Sequence, residues 1–242
     1  MMPAAALTLH PVAAEAAPAR IILLRHGEKG GPYTLCLVGQ ARGQALAAYY
    51  LGRNAQKSLF RPGETPRAIL AISMHTLDTI APVAESWNMP VIYYSVMPQL
   101  KGGKLVLSDA QLNQRTREAA RDILEKPEWV GQTLVVDWEH DHIAKTRLDA
   151  ELPAGVPRGD RPAPTRRDTL YDLLGLEHLA GVPYNWPRNT YDYFWIIDFD
   201  PATGRPAAFS MVKQAFGPPF AGLPSNDWGQ PNGLTAADGC TP

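Results

Sequence analysis

Arg25, His26 and Gly27 follow the apolar run RIILL without a break, and Glu28 and Lys29 come next. A neutral imidazole, with an ordinary pKa of about 6.5, is a competent nucleophile near neutral pH. It can form a covalent intermediate that divides one hard displacement into two easier ones. A guanidinium presents a planar fork of donors that matches phosphate oxygens. Glycine lets the chain turn sharply and lets a ligand approach the backbone. A second cluster, Trp138, Glu139, His140 and Asp141, follows another apolar run, QTLVVDW. Phosphoryl transfer asks mainly for positioning and charge stabilisation, which cations and imidazoles provide. No carboxylate cluster of the kind that holds a divalent ion is evident, so neither a metal nor another cofactor is expected.

These clusters meet only if the right elements carry them. Residues 20–24 read as a strand buried on both faces. Residues 38–52 carry apolar side chains at helical spacing and end near Gly52. AILAIS (68–73) is a second strand, 76–87 a helix with Pro82 as a kink or first-turn proline, and 91–94 a third strand. Ser108 is a good cap for a polar helix over 109–126. Residues 132–138 form a fourth strand, followed by a helix over roughly 141–149. Alternation of this kind predicts an α/β fold in three layers, a mostly parallel sheet with helices on both faces. Loops are expected at 95–107 and 151–168, and a short helix at 169–179. Residues 191–199 and 207–216, around PATGRP, predict an antiparallel hairpin at a sheet edge. Residues 217–242 read as a surface-wrapping tail. In an open parallel sheet, ligands bind beyond the carboxyl ends of the strands, which is where both clusters fall.

Strand–RHG, then Glu28–Lys29, then a helix with Leu37, Gly39, Arg42, Ala45 and Leu46, resembles the histidine phosphatase superfamily, the phosphoglycerate mutase-like proteins. The resemblance covers about residues 20–149, and TLVVDWEHDHI looks like the strand that delivers the family's second histidine. It implies that His26 is the nucleophile, Arg25 a phosphate clamp and His140 the second pocket histidine, with His142 the alternative. The family usually supplies a second arginine in a motif like S-x-x-x-R-A-x-x-T. Here the segment is SMHTLDT, and aligning Thr79 puts His75 at the arginine's place. Either His75 does that work at reduced efficiency or another loop cation replaces the arginine: Lys29, Lys101, Lys104, Arg158, Arg161, Arg166 or Arg167. Otherwise the site only binds.

A leaving alkoxide needs a general acid. The loop after the third strand, SVMPQLKGGKLVLS, has no carboxylate. Asp141, directly after His140, is the favoured donor, as in the acid phosphatase branch of the family; Glu139 comes second and Glu28 third. The bland alternatives are a helix-end aspartate for Asp141 and a solvated pair for Glu28–Lys29. The expectation is a metal-independent phosphatase that hydrolyses a small phosphomonoester through a phosphohistidine. The alternative is a catalytically degenerate member of the same fold that binds phosphate or a related ligand. A mutase is disfavoured, because nothing shows a device for retaining the organic group.

The net charge of −1 gives no reason to expect nucleic acid or a polybasic membrane contact, and no apolar run is long enough to span a bilayer. Cys36 and Cys240, the two cysteines, make neither a zinc pattern nor a disulfide framework, and read as unrelated thiols, with one long-range bridge the alternative. Residues 1–18 read as a signal-peptide remnant or an Ala-rich tail. The first would place the protein in the periplasm or outside the cell, the second in the cytoplasm. Residues 19–242 read as one domain. The aromatics Trp186, Tyr191, Tyr193, Phe194 and Trp195 read as core packing. Substrate identity and oligomeric state have no readable signal.

Overall fold

The computed structural model describes residues 17–145 and 168–241. In chain order the main elements are β1 (Arg20–Arg25), α1 (Leu37–Leu46), β2 (Pro66–Ala71), α2 (Met74–Trp87), β3 (Val91–Tyr93), β4 (Gln99–Lys101), β5 (Lys104–Val106) and α3 (Asp109–Glu125). Then come β6 (Thr133–Trp138), α4 (His140–Ile143), α5 (Leu170–Leu173), β7 (Tyr193–Phe199) and β8 (Pro206–Lys213). Six strands form one sheet in the order β3-β2-β6-β1-β7-β8. β3, β2, β6 and β1 are parallel, and β7 and β8 add the antiparallel hairpin at the edge. The α/β expectation and its edge hairpin are what the chain adopts.

The sheet has a buried face on each side, and the period of two along each strand sorts side chains between them. Ile21, Leu23, Leu70, Leu134, Val136 and Trp138 pack on one face with α3 and the Trp186–Trp195 pair. Ile22, Leu24, Ile69, Ala71 and Val135 pack on the other with Leu46, Tyr49, Tyr50, Ile80 and Val83. That double burial is why the strands read as continuous apolar runs.

Several expectations shift in detail. The first helix passes at Ala47 into a π-helical turn that ends at Leu51. The second starts at Met74 rather than Thr76, because Ser73 leaves the strand and caps it, in a reciprocal box with Thr76. Pro82 lies inside that helix, not at its first turn. The 95–107 stretch is not plain loop: β4 and β5 form a two-stranded hairpin turned by Gly102 and Gly103, both at positive φ. The 141–149 helix is one turn, His140–Ile143, and the rest of that stretch beyond Lys145 lies outside the described residues, as do residues 1–16 and 151–167. Residues 169–179 split into α5 and a 3₁₀ turn at Leu176–His178. The reading of two unrelated thiols is corrected: Cys36 and Cys240 form a disulfide. The C-terminal segment comes back to β1's loop, where the Thr241 backbone N–H donates to the Lys29 carbonyl at 2.6 Å, and this return brings the two sulfurs together.

Candidate active site

Parallel pairing of β1 with β6 sets Arg25 beside Trp138. The residues just past the two strand ends, His26 and Glu139, are therefore neighbours. β2 pairs with β6 on its other side, Ala71 beside Asp137, so Ser73 and His75 arrive from the start of α2. α1 comes close because it has no side chain at Gly39. A Cβ there would lie 2.3 Å from the Glu28 carbonyl oxygen, and one on Gly27 would lie 2.9 Å from the Gly39 oxygen. The Gly27 N–H donates to Thr79 Oγ1 at 2.7 Å, tying the loop to α2.

Three imidazoles converge. The His26 ring centroid lies 6.0 Å from that of His140 and 5.8 Å from that of His75. His26 is fully buried, and its Nδ1 lies 2.6 Å from the Gly27 carbonyl. A carbonyl only accepts, so the proton sits on Nδ1 and Nε2 carries the lone pair. Burial, with Lys29 and Arg25 adding to it and Glu139 opposing, brings His26 down to about 3, so the ring is neutral at neutral pH. Burial likewise lowers His75 and His140, the first helped by Lys29 and the second by Arg25. His75 donates from Nε2 to the Gly31 carbonyl at 2.7 Å, which leaves its Nδ1 buried and without a hydrogen-bond partner among the described residues. The Nδ1 of His140 is also buried and unpartnered.

Arg25 is buried and held on several sides. Its Nη1 donates to the Arg188 carbonyl at 2.5 Å, its Nη2 lies 3.2 Å from His26 Nε2, and its Cζ lies 3.9 Å from the centre of the Tyr191 ring. The Nε is a buried donor with no acceptor among the described residues. Tyr191 also meets the His26 ring edge-on at 6.0 Å. Glu139 stands in the middle. Its Oε2 lies 3.3 Å from His26 Nε2 and accepts from Lys29 Nζ at 3.0 Å, and its Oε1 accepts from Ser73 Oγ at 2.6 Å. Burial alone would raise this carboxyl; Lys29 and the Ser73 hydroxyl outweigh it and hold the group well below the usual carboxylate range.

Arg25, His26, Lys29, His75, Glu139 and His140 are thus brought together. Of the loop cations among the described residues, Lys29 lies close enough to His75 to act on its charge. Lys101 and Lys104 sit on the exposed β4–β5 hairpin, and Arg158, Arg161, Arg166 and Arg167 lie outside the described residues. His142 is directed elsewhere, with its Nε2 2.8 Å from Asn113 Oδ1. Glu28 is not in the cluster: Arg42 donates to both of its oxygens, at 2.6 Å in the shortest contact, and also to Gln214 and the Pro224 carbonyl. Asp141 is partly exposed, with Oδ2 taking Lys145 at 2.5 Å and Oδ1 3.3 Å from His140 Nε2. Sequence reasoning missed Ser73 and took Tyr191 for packing alone. Ser73's cap position was readable from SMHT; its second role, toward Glu139, was not.

His26, Glu139 and His140 offer ligand atoms within 4.8 Å of one another, a spacing a metal ion could use. Two of the three already face a cation, Arg25 against His26 and Lys29 against Glu139. That surrounding charge suits an anion rather than a third cation. A scan against protein-family models and a search of curated proteins found no match for this chain.

Proposed function

We propose that the chain is a metal-independent phosphatase acting on a small phosphomonoester. One observation carries the reading. His26 keeps its proton on Nδ1 and turns an unprotonated Nε2 toward Arg25 Nη2 and Glu139 Oε2, in a buried cluster with Lys29, His75 and His140. Nε2 attacks phosphorus and the bond to the leaving oxygen breaks, with a proton supplied by a carboxyl group. Water then attacks the phosphohistidine, the P–N bond breaks, and phosphate leaves with His26 restored. Glu139, 3.3 Å from Nε2, is the nearer carboxyl group; Lys29 and Ser73 hold it ionised, so the proton it passes to the leaving oxygen is one that enters with the substrate. Arg25 and Lys29 offset charge on the phosphoryl oxygens.

The test is a phosphate-release screen over varied phosphomonoesters with His26→Ala as control. The expected result is turnover that the substitution lowers by about 10⁴-fold or more, with an acid-labile phosphoryl group trapped on the wild-type chain alone. Turnover that survives in His26→Ala would end the proposal. The second reading, a binding protein without turnover, is favoured by one feature: His75 stands where a second guanidinium would clamp the phosphoryl group. It predicts anion binding with no phosphate release from any ester.

A further inference from the structure

We infer that this site admits its tetrahedral anion only together with one proton, because the Glu139 carboxylate already holds the anion's place; the preferred substrate form is then the monoanion. The inference rests on the phosphatase reading and sharpens its substrate class.

A phosphoryl group bonded to His26 Nε2 must sit within reach of that nitrogen, of Lys29 Nζ and of the groups at the start of α2. A carboxylate sits there now. Glu139 has Oε2 3.3 Å from Nε2 and 3.0 Å from Lys29 Nζ, and Oε1 2.6 Å from Ser73 Oγ and 3.9 Å from His75 Nδ1. Two acceptors, the Nε2 lone pair and the carboxylate oxygen, face each other with donors around them. That is the arrangement of an anion site filled from within.

Charge then decides what can enter. Arg25 and Lys29 bring two positive charges, and Glu139 brings one negative. A dianion would raise the negative charge to three against two in a buried pocket, which is costly. One proton, shared between the carboxyl and an anion oxygen, brings the count to two against two. It also turns an oxygen–oxygen repulsion into a hydrogen bond.

The other titratable groups that face Glu139 compete for that proton. From β1 and its loop these are Arg25, His26 and Lys29; from α2, His75; from β3, Tyr93; and from its own segment, Asp137, His140, Asp141 and His142. Arg25 and Lys29 are already charged. Asp137 is held protonated by burial. The imidazoles are the real competitors, because an entering anion would also favour their charged forms.

Calorimetric titration with sulfate and with inorganic phosphate, from about pH 5.5 to about pH 8 in buffers of different ionisation enthalpy, separates these cases. Sulfate stays a dianion over the whole range, so any proton taken up with it comes to rest on the protein or between protein and anion. For the wild-type chain we expect sulfate Kd to rise about tenfold per pH unit, with one proton taken up per ion. Glu139→Gln should bind sulfate with no linked proton, independently of pH, and about tenfold or more tighter than wild type near pH 8. Wild-type sulfate binding without the linked proton, or binding of phosphate near pH 8, where it is a dianion, without one, overturns the inference and leaves the phosphatase reading intact. A Glu139→Gln variant that keeps the wild-type pH slope also overturns it, by assigning the proton to an imidazole. If neither anion binds the wild-type chain at any pH, the inference and the phosphatase reading fall together. The wild-type arm decides the matter even where the variant does not fold.

Discussion

Asp137 is a carboxyl group in the middle of a sheet. It lies on β6 between Leu24 of β1 and Ala71 of β2, is fully buried, and neither of its oxygens has a hydrogen-bond partner among the described residues. Burial pushes it well above the ordinary carboxylate range; Glu139 adds to that, and Arg25 opposes it without reversing the direction. A folded state that holds this proton more tightly than the unfolded chain binds more protons wherever pH lies between the two pKa values. Stability therefore falls as pH rises from about 3.9, by about 1.4 kcal/mol per unit, until the folded group itself ionises. Asp137→Asn keeps the shape and removes the titration. Urea unfolding followed by the fluorescence of the six tryptophans, repeated at steps of pH, gives both curves. The two should run together below about pH 4, and the Asn chain should then gain on wild type with up to that slope. Parallel curves would mean that Asp137 is ionised in the fold, and the argument from burial would be wrong.

Other outcomes follow from single contacts. Glu28→Gln leaves the buried Arg42 charge with its ionic partner gone, and should cost about 3–5 kcal/mol in chemical denaturation; the Glu28 carboxylate outweighs the burial that works against that guanidinium. Gly39→Ala puts a methyl 2.3 Å from the Glu28 carbonyl, with backbone on both sides. α1 must retreat, so stability should fall by about 1–3 kcal/mol, and the phosphate release that the proposed function expects should fall by on the order of 10²-fold through displaced site residues. Replacing Cys36 and Cys240 by serine removes a cross-link across 204 residues of sequence. It should lower stability by about 2–5 kcal/mol, read as a lower urea midpoint than for the oxidised wild-type chain.

The parallel sheet was legible because burial on both faces writes uninterrupted apolar runs at 21–24 and 134–136. The meeting of His26, Glu139 and His140 at their ends was legible because topology fixes where such ends lie. The pairing of Glu28 with Arg42 was not, since it depends on how closely α1 settles on the β1 loop, and two glycines set that distance. The meeting of Ser73 with Glu139 needed the register of β2 against β6, and no local pattern states a register. The β4–β5 hairpin escaped because its strands are exposed on both sides and carry no alternation; only the Gly102–Gly103 pair marked the turn. The disulfide escaped because two cysteines at opposite ends of a chain carry no spacing signal.

The Cys36–Cys240 bond makes a covalent ring of every element from α1 to β8. A protease that cuts the backbone once anywhere inside that ring releases no fragment, and the nicked protein travels as a single band until a thiol reagent opens it. Limited digestion run with and without reductant would therefore map the vulnerable loops without dispersing the pieces, and the same tether would hold the halves together for religation.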